Sequence, residues 1–328
     1  MAVREQLKKM ILEVLPDVDC VVGWGPGHDG LHGAPLFMRV PQDVENFMAG
    51  PLGAFGAVQN PALFLPDLAG KKVGLVVKGC DSRSVVQLIA ENLVRREEVI
   101  VIGFPCEGVI DLHKVQSRLA AALTPREAGE ITSASLEGDA LVLMAGEQEF
   151  RFRRDEITAD KCLRCRVPNA VISDFFAGIE RRADSVADDY EDLAALERMS
   201  LEERFRFWEN EMSRCLRCYA CRNACPLCVC RDHCVASSRD PHWLTQADST
   251  RDKFMFQVIH AMHLAGRCTG CGECQRACPV GIPVLLLKRS LGRAVEEMFD
   301  YRAGLDTEAK PPLLTFQVEE PKIKEREW

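Results

Sequence analysis

The chain has 328 residues, 47% of them apolar, and a formal net charge of −8. Its length suits two domains with room for a small third, and its acidic balance excludes nucleic acid as the partner, because phosphates call for clustered Lys and Arg. An acidic surface suits docking on other proteins, and plain solubility equally.

Val3, Leu7, Ile11, Val14 and Leu15 recur at helical spacing and predict an amphipathic helix over residues 1–15. Lys8, Lys9 and Glu13 interrupt the apolar run before it reaches the length of a secretory leader. No stretch approaches the 18 or so apolar residues of a membrane span. The expectation is a cytoplasmic protein with reduced thiols. The 16 cysteines then point to metal rather than to a disulfide scaffold, which belongs to short secreted chains.

Residues 20–70 are rich in Gly and Pro and carry no clear element. A βαβ pattern follows. KVGLVV (72–77) predicts a strand, KGCDSR a loop, and residues 84–96 a helix. VIVIGF (99–104) predicts a second, parallel strand, PCEG a loop, and residues 110–122 a helix. Residues 131–157 alternate strand-like runs with Gly turns and predict antiparallel hairpins beside the parallel sheet. KCLRCR and a helical stretch follow.

An acidic, polar stretch over 184–200 reads as a linker. It separates an α/β domain (1–183) from a mainly α-helical ferredoxin domain (201–300). Ser200 and Glu203 form a capping box that opens a helix leading into Cys215. Residues 301–328, with Pro311, Pro312 and Pro321 among charges, read as an extended tail that either drapes over a partner or stays disordered.

Two runs match the bacterial ferredoxin pattern C-x2-C-x2-C-x3-C-P. CLRCYACRNACP carries Cys215, Cys218, Cys221 and Cys225. CTGCGECQRACP carries Cys268, Cys271, Cys274 and Cys278. Three closely spaced thiolates wrap three irons of one cube, and the fourth leaves to reach the other cube. One [4Fe–4S] cluster is therefore expected on Cys215, Cys218, Cys221 and Cys278. The other is expected on Cys268, Cys271, Cys274 and Cys225. Zinc sites use paired C-x2-C units instead. The long gap between the runs holds a helix (250–265) and resembles the helical ferredoxin domains of succinate dehydrogenase iron–sulfur subunits and heterodisulfide reductase C subunits. His260 and His263 on that helix read as packing or surface residues before ligands.

Cys80, Cys106, Cys162 and Cys165 form a second constellation. The loops after two neighbouring parallel strands emerge at one sheet edge, where ligand crevices form, and KCLRCR could close the site. Four thiolates from three loops suffice for a third [4Fe–4S] cluster; a zinc site or unlinked thiols are the alternatives. KGCDSR, GFPCEG and the later C-x2-C together resemble the beta subunits of coenzyme F-420-reducing hydrogenases and formate dehydrogenases over about residues 70–180. The resemblance implies one [4Fe–4S] cluster on Cys80, Cys106, Cys162 and Cys165, beside an FAD that exchanges electrons with a deazaflavin. The family's N-terminal ferredoxin motif is missing here, and the flavin region is not recognisable. GWGPGHDG (23–30) is only a weak phosphate-loop signal.

PLCVCRDHC adds Cys228, Cys230 and Cys234. Three thiols so dense need a fourth ligand, with Cys20, His233 or a residue not placed by the sequence as candidates, and hold a further cluster or zinc; free or partly structural thiols are the remaining alternative. Cys20 alone reads as a small buried hydrophobe. Arg214, Arg217, Arg222, Arg267 and Arg276 near the motifs would either favour reduced clusters or dock a partner.

The chain thus reads as an iron–sulfur electron-transfer subunit of a multi-subunit oxidoreductase of anaerobic metabolism. Its expected partners are formate dehydrogenase, hydrogenase or heterodisulfide-reductase-like subunits, with no catalytic residues of its own. The alternative is an FAD-containing beta subunit that exchanges hydride with a deazaflavin or nicotinamide.

Overall fold

The computed structural model describes residues 2–27, 32–48, 59–120, 131–182, 189–230, 234–236 and 244–316. Helix α1 (Val3–Val14) buries Leu7, Ile11 and Val14, the stripe expected from the spacing, and packs on strands β3 (Val73–Val77) and β4 (Val99–Gly103). Residues 20–70, unassigned from sequence, contain a hairpin of β1 (Cys20–Pro26) and β2 (Gly33–Met38). With the two-residue β8 (Phe175–Phe176) these strands form one mixed sheet, ordered β2-β1-β3-β4-β8.

β3 and β4 are parallel neighbours, paired from Val73↔Val99 to Val77↔Gly103. All of β3 is buried, as expected of a strand covered on both faces. Val76 joins α1 in one core, whereas Val73, Leu75 and Val77 join a second core that includes Leu227 and Leu264 from the distant half of the chain. The sheet therefore packs directly on the cysteine-rich region.

Helix α2 (Gly79–Ala90) starts five residues before the expected position. Asp81 causes this. Its Oδ2 accepts the Lys78 backbone N–H at 3.1 Å, and an acidic residue in the first turn is stabilising there. KGCDSR is thus the first helical turn rather than a loop. α2 also brackets the two halves. Ser84 Oγ lies 3.0 Å from Thr269 Oγ1, Arg267 Nε donates to Glu91 at 2.8 Å, and Gln87 Oε1 accepts from Tyr301 Oη at 2.9 Å. Residues 301–304, the start of the expected tail, are therefore held against α2; residues 317–328 lie outside the described residues.

Strands β5 (Ile131–Glu137), β6 (Ala140–Ala145) and β7 (Gln148–Arg153) form a separate antiparallel sheet. Gly138 and Gly146 make its turns with φ near +60°, a conformation that favours glycine. The meander builds its own core with helix α3 (Leu112–Leu119). The other half is helical: α4 (Leu201–Ser213), α5 (Thr250–Met262) and α6 (Val284–Phe299), with α5 packed on both others. The Ser200–Glu203 capping box is present, and Ser200 Oγ accepts the Glu203 N–H at 3.2 Å. No helix among the described residues is long and apolar enough to cross a membrane.

Candidate metal centres

Both ferredoxin runs adopt one local backbone. Arg217 and Gly270, each two residues past the first cysteine, have positive φ (50° and 71°), as do Tyr219 and Gly272 (62° and 73°), each directly after the second. Each run then makes one helical turn, Ala220–Asn223 and Glu273–Arg276, and these turns touch. Left-handed residues alternating with helical ones aim successive N–H groups into a concavity that suits an anionic cluster. Arg217 N–H donates to Cys215 Sγ at 3.3 Å, and Ile282 N–H to Cys278 Sγ at 3.4 Å. Arg217 and Tyr219 hold this shape without glycine's freedom, at roughly 1–2 kcal/mol each.

The fourth cysteine of the first run crosses over. Buried Cys225 faces the thiols of Cys271, Cys274 and Cys268, and burial pushes its own thiol well up. Cys278 shares a buried cluster with Cys215, Cys221 and Cys274. Cys218 is exposed. Burial also raises Cys221 to about 11 and Cys271 to about 12. Burial thus disfavours the free thiolates of Cys225, Cys221 and Cys271, and coordination to a metal deprotonates such thiols outright.

Lys288 tests whether the site fits clusters. It is 3% exposed, and its Nζ has no hydrogen-bond partner among the described residues. Burial opposes its charge, yet Cys274, Cys225, Cys268 and Cys221 hold its pKa above the usual lysine value. An isolated buried ammonium costs several kcal/mol. Four thiolates on iron would supply the missing counter-charge, so the donor set and the orphaned cation fit a pair of cubanes.

The front cysteines also converge. Cys80 lies in the first turn of α2, and its neighbouring thiol is Cys106, beyond the end of β4. Cys106 in turn faces Cys162, and Cys162 faces Cys165. Burial raises Cys106 to about 11, and it accepts the Gly108 N–H at 3.4 Å. Cys80 is pushed well up by burial. Buried Lys78 ion-pairs with Asp81 at 2.6 Å and lies 4.2 Å from the Trp24 ring centre.

One cleft joins the front set to the second ferredoxin run. Cys80, Cys162, Cys165 and Cys268 all line it, with Arg83 and Lys161 between them. Lys161 Nζ donates to the Cys271 carbonyl. Burial opposes the Lys161 charge, but Cys80, Cys162, Glu273 and Cys271 raise its pKa.

The flagged arginines are mostly structural ties. Arg217 donates to the carbonyl of Ala247 at 3.3 Å, Arg214 to that of Val280 at 2.7 Å, and Arg276 pairs with Glu273. The cations near the thiols include Lys78, Lys161, Lys288 and Arg83, which sequence reading missed, and Arg222 and Arg267, which it named. Lys288 carried a signal: it falls on the buried stripe of α6 with Val284, Leu285 and Val295. Cys20 is buried in β1 among the core of the sheet. Cys228, Cys230 and Cys234 line a separate cavity that also includes His260 and His263, and His233 lies outside the described residues. Among the described residues no three His, Cys, Asp or Glu side chains form a group closed on one metal ion; the ligands of a cubane stand farther apart, one at each iron corner.

A repeated cysteine loop, a crossing fourth thiol and a buried counter-cation define an iron–sulfur electron-transfer protein. Residues 211–282 match the family described as 4Fe-4S dicluster domain. The chain is also similar to the F420-dependent formate dehydrogenase subunit beta of Methanocaldococcus jannaschii, 21% identical over 92% of this chain and 90% of that protein. It is similar to the F420-dependent formate dehydrogenase 1 subunit beta of Methanococcus maripaludis, 21% identical over 90% of this chain and 89% of that protein. A chain in a structure of the F420-reducing [NiFe] hydrogenase complex from Methanosarcina barkeri matches 64% of this chain and 86% of its own length, at 10% identity and a TM-score of 0.42.

Proposed function

We propose that this chain is the electron-relay subunit of a multi-subunit oxidoreductase of formate dehydrogenase or hydrogenase type, holding three [4Fe–4S] clusters in series. Cys80, Cys106, Cys162 and Cys165 hold the front cluster, in a unit spanning about residues 1–183. Cys268, Cys271, Cys274 and Cys225 hold the middle one, and Cys215, Cys218, Cys221 and Cys278 the third. The observation that carries this reading is the single cleft lined by Cys80, Cys162, Cys165 and Cys268. The formate dehydrogenase beta subunits it resembles along most of its length support the class of partner.

Each cubane supplies one-electron chemistry with little rearrangement. The chain's own residues set the conditions. Lys78, Lys161 and Lys288 place fixed positive charge beside the thiol sets. Gln257 Nε2 donates to Cys221 Sγ at 3.6 Å, and the loop N–H groups named above aim at Cys215, Cys278 and Cys106. Both effects stabilise added negative charge. Burial of Cys225, Cys271 and Cys274 excludes water.

The test is Cys106→Ser in the full chain, purified anaerobically. About four irons are lost with one reduced-state EPR component, while the ferredoxin clusters persist. Unchanged iron content overturns the front cluster. Hydride exchange through a flavin is the less favoured reading. The described part of the Gly-rich run 23–30 lies largely in β1, where Gly23 and Gly25 pair with Leu36 and Ala34, rather than at a helix start. Stoichiometric flavin in an acid extract would reverse that preference.

A further inference from the structure

We infer that Cys228, Cys230, Cys234 and His260 hold a fourth [4Fe–4S] cluster, with an imidazole in place of one thiolate. The three cysteines line one cavity of about 170 Å³, and the same cavity is lined by His260. Cys230 and Cys234 lie within electrostatic reach of Cys228. Arg222 pins the loop, donating to the Cys230 carbonyl at 3.1 Å.

His260 supplies the second, independent observation. It sits on α5, is 3% exposed, and neither ring nitrogen has a hydrogen-bond partner among the described residues. An unpaired buried polar atom costs about 1–3 kcal/mol, so a histidine with both nitrogens orphaned is poorly explained as packing. Its ring stacks on Phe256 at 5.8 Å, tilted 23°, which fixes the imidazole plane. His263, on the same cavity, is exposed. Cys20 does not line the cavity.

The size of the space selects the group. Zinc binds sulfur at about 2.3 Å and nitrogen at about 2.0 Å, so its ligands close on a single atom. A cavity of 170 Å³ is about ten times the space one water needs and suits a polyatomic cube. Replacing an anionic thiolate by neutral imidazole leaves the cluster less negative, and histidine ligation raises cluster potentials. With Cys230 exposed, this cluster forms the high-potential, solvent-facing end of the chain.

The test uses the full chain made anaerobically with 15N-labelled histidine. Pulsed EPR of the reduced protein shows one cluster coupled to a labelled nitrogen. The coupling disappears in His260→Cys, which keeps its iron and titrates at a lower potential. Separately, Cys230→Ser with Cys234→Ser loses about four of the irons that the native chain binds. Absence of the nitrogen coupling in the unaltered chain, its survival in His260→Cys, or one zinc in place of four irons overturns the inference, whether or not the serine variants fold. The outcome is independent of the front cluster, which Cys106→Ser reports alone.

Discussion

Replacing Gly79 by Ala adds one carbon beside Cys80. A Cβ there lies 1.9 Å from the Val167 carbonyl oxygen and 2.7 Å from that of Asn169. Side-chain carbons essentially never approach within 3.0 Å, so the Val167 oxygen must retreat by about 1.1 Å. It belongs to backbone and cannot rotate away. Val167 is two residues past Cys165, and Gly79 immediately precedes Cys80. The retreat therefore separates the two halves of the front thiol set. Overpacking costs typically 1–3 kcal/mol, and a backbone clash this short belongs at the upper end, so about 3 kcal/mol is expected. Gly292→Ala is the control. It lies inside α6 with nothing within 4 Å of its Cβ, and Ala there is favoured by about 1 kcal/mol. Thermal denaturation and iron analysis of both anaerobic proteins are the assay. Gly79→Ala lowers the midpoint and loses about four irons; Gly292→Ala raises the midpoint and keeps its iron. A Gly79→Ala protein with full iron and an unchanged midpoint would refute the close-approach reasoning.

Other expectations can be checked directly. Lys288→Met removes a buried cation flanked by Cys221, Cys225, Cys268 and Cys274. At an effective dielectric of ~20 and a separation on the order of 7 Å, the lost attraction is about 2 kcal/mol, roughly 100 mV. Redox titration should show the ferredoxin clusters moving to lower potential, and unchanged potentials would dismiss the counter-charge role. Ser249→Ala removes the side chain that caps α5 by accepting the Asp252 N–H at 3.1 Å, costing about 1 kcal/mol in denaturant titration. The Asp252 carboxylate, which accepts from Thr245 and Ser249, is held below its usual range by those hydroxyls. Its stabilisation is present above the unfolded carboxylate pKa and is lost as pH falls through the lower folded value. Asp252→Asn should therefore narrow its stability deficit against the native chain in that acid window alone. After iron is stripped by chelation, brief alkylation at pH 8 should modify exposed Cys218 and Cys230 before Cys80 and Cys225. Early labelling of Cys225 would contradict its burial.

The legible parts of this molecule were those with short-range causes. Leu7, Ile11 and Val14 marked α1 because a helix repeats every 3.6 residues, and β3 and β4 showed as β-branched runs. The hairpin of β1 and β2 was hidden because Gly23, Gly25, Pro26 and Pro35 dilute the strand signal, and its stability comes from burying Trp24 and Met38 in the core. The start of α2 was misplaced because Asp81 caps it through a side-chain contact that propensity does not display.

The cysteine spacing by itself determined which thiols can share a loop, since three residues span only one turn of backbone and no distant contact alters that. Tertiary structure alone decided the rest. It set Cys225 against the second run, placed Cys80, Cys162 and Cys165 in a cleft with Cys268, and enclosed Lys288 and His260 away from water. Burial is a property of the whole packed chain, and a lysine or histidine acquires its chemistry from what surrounds it, which a local stretch of sequence does not encode.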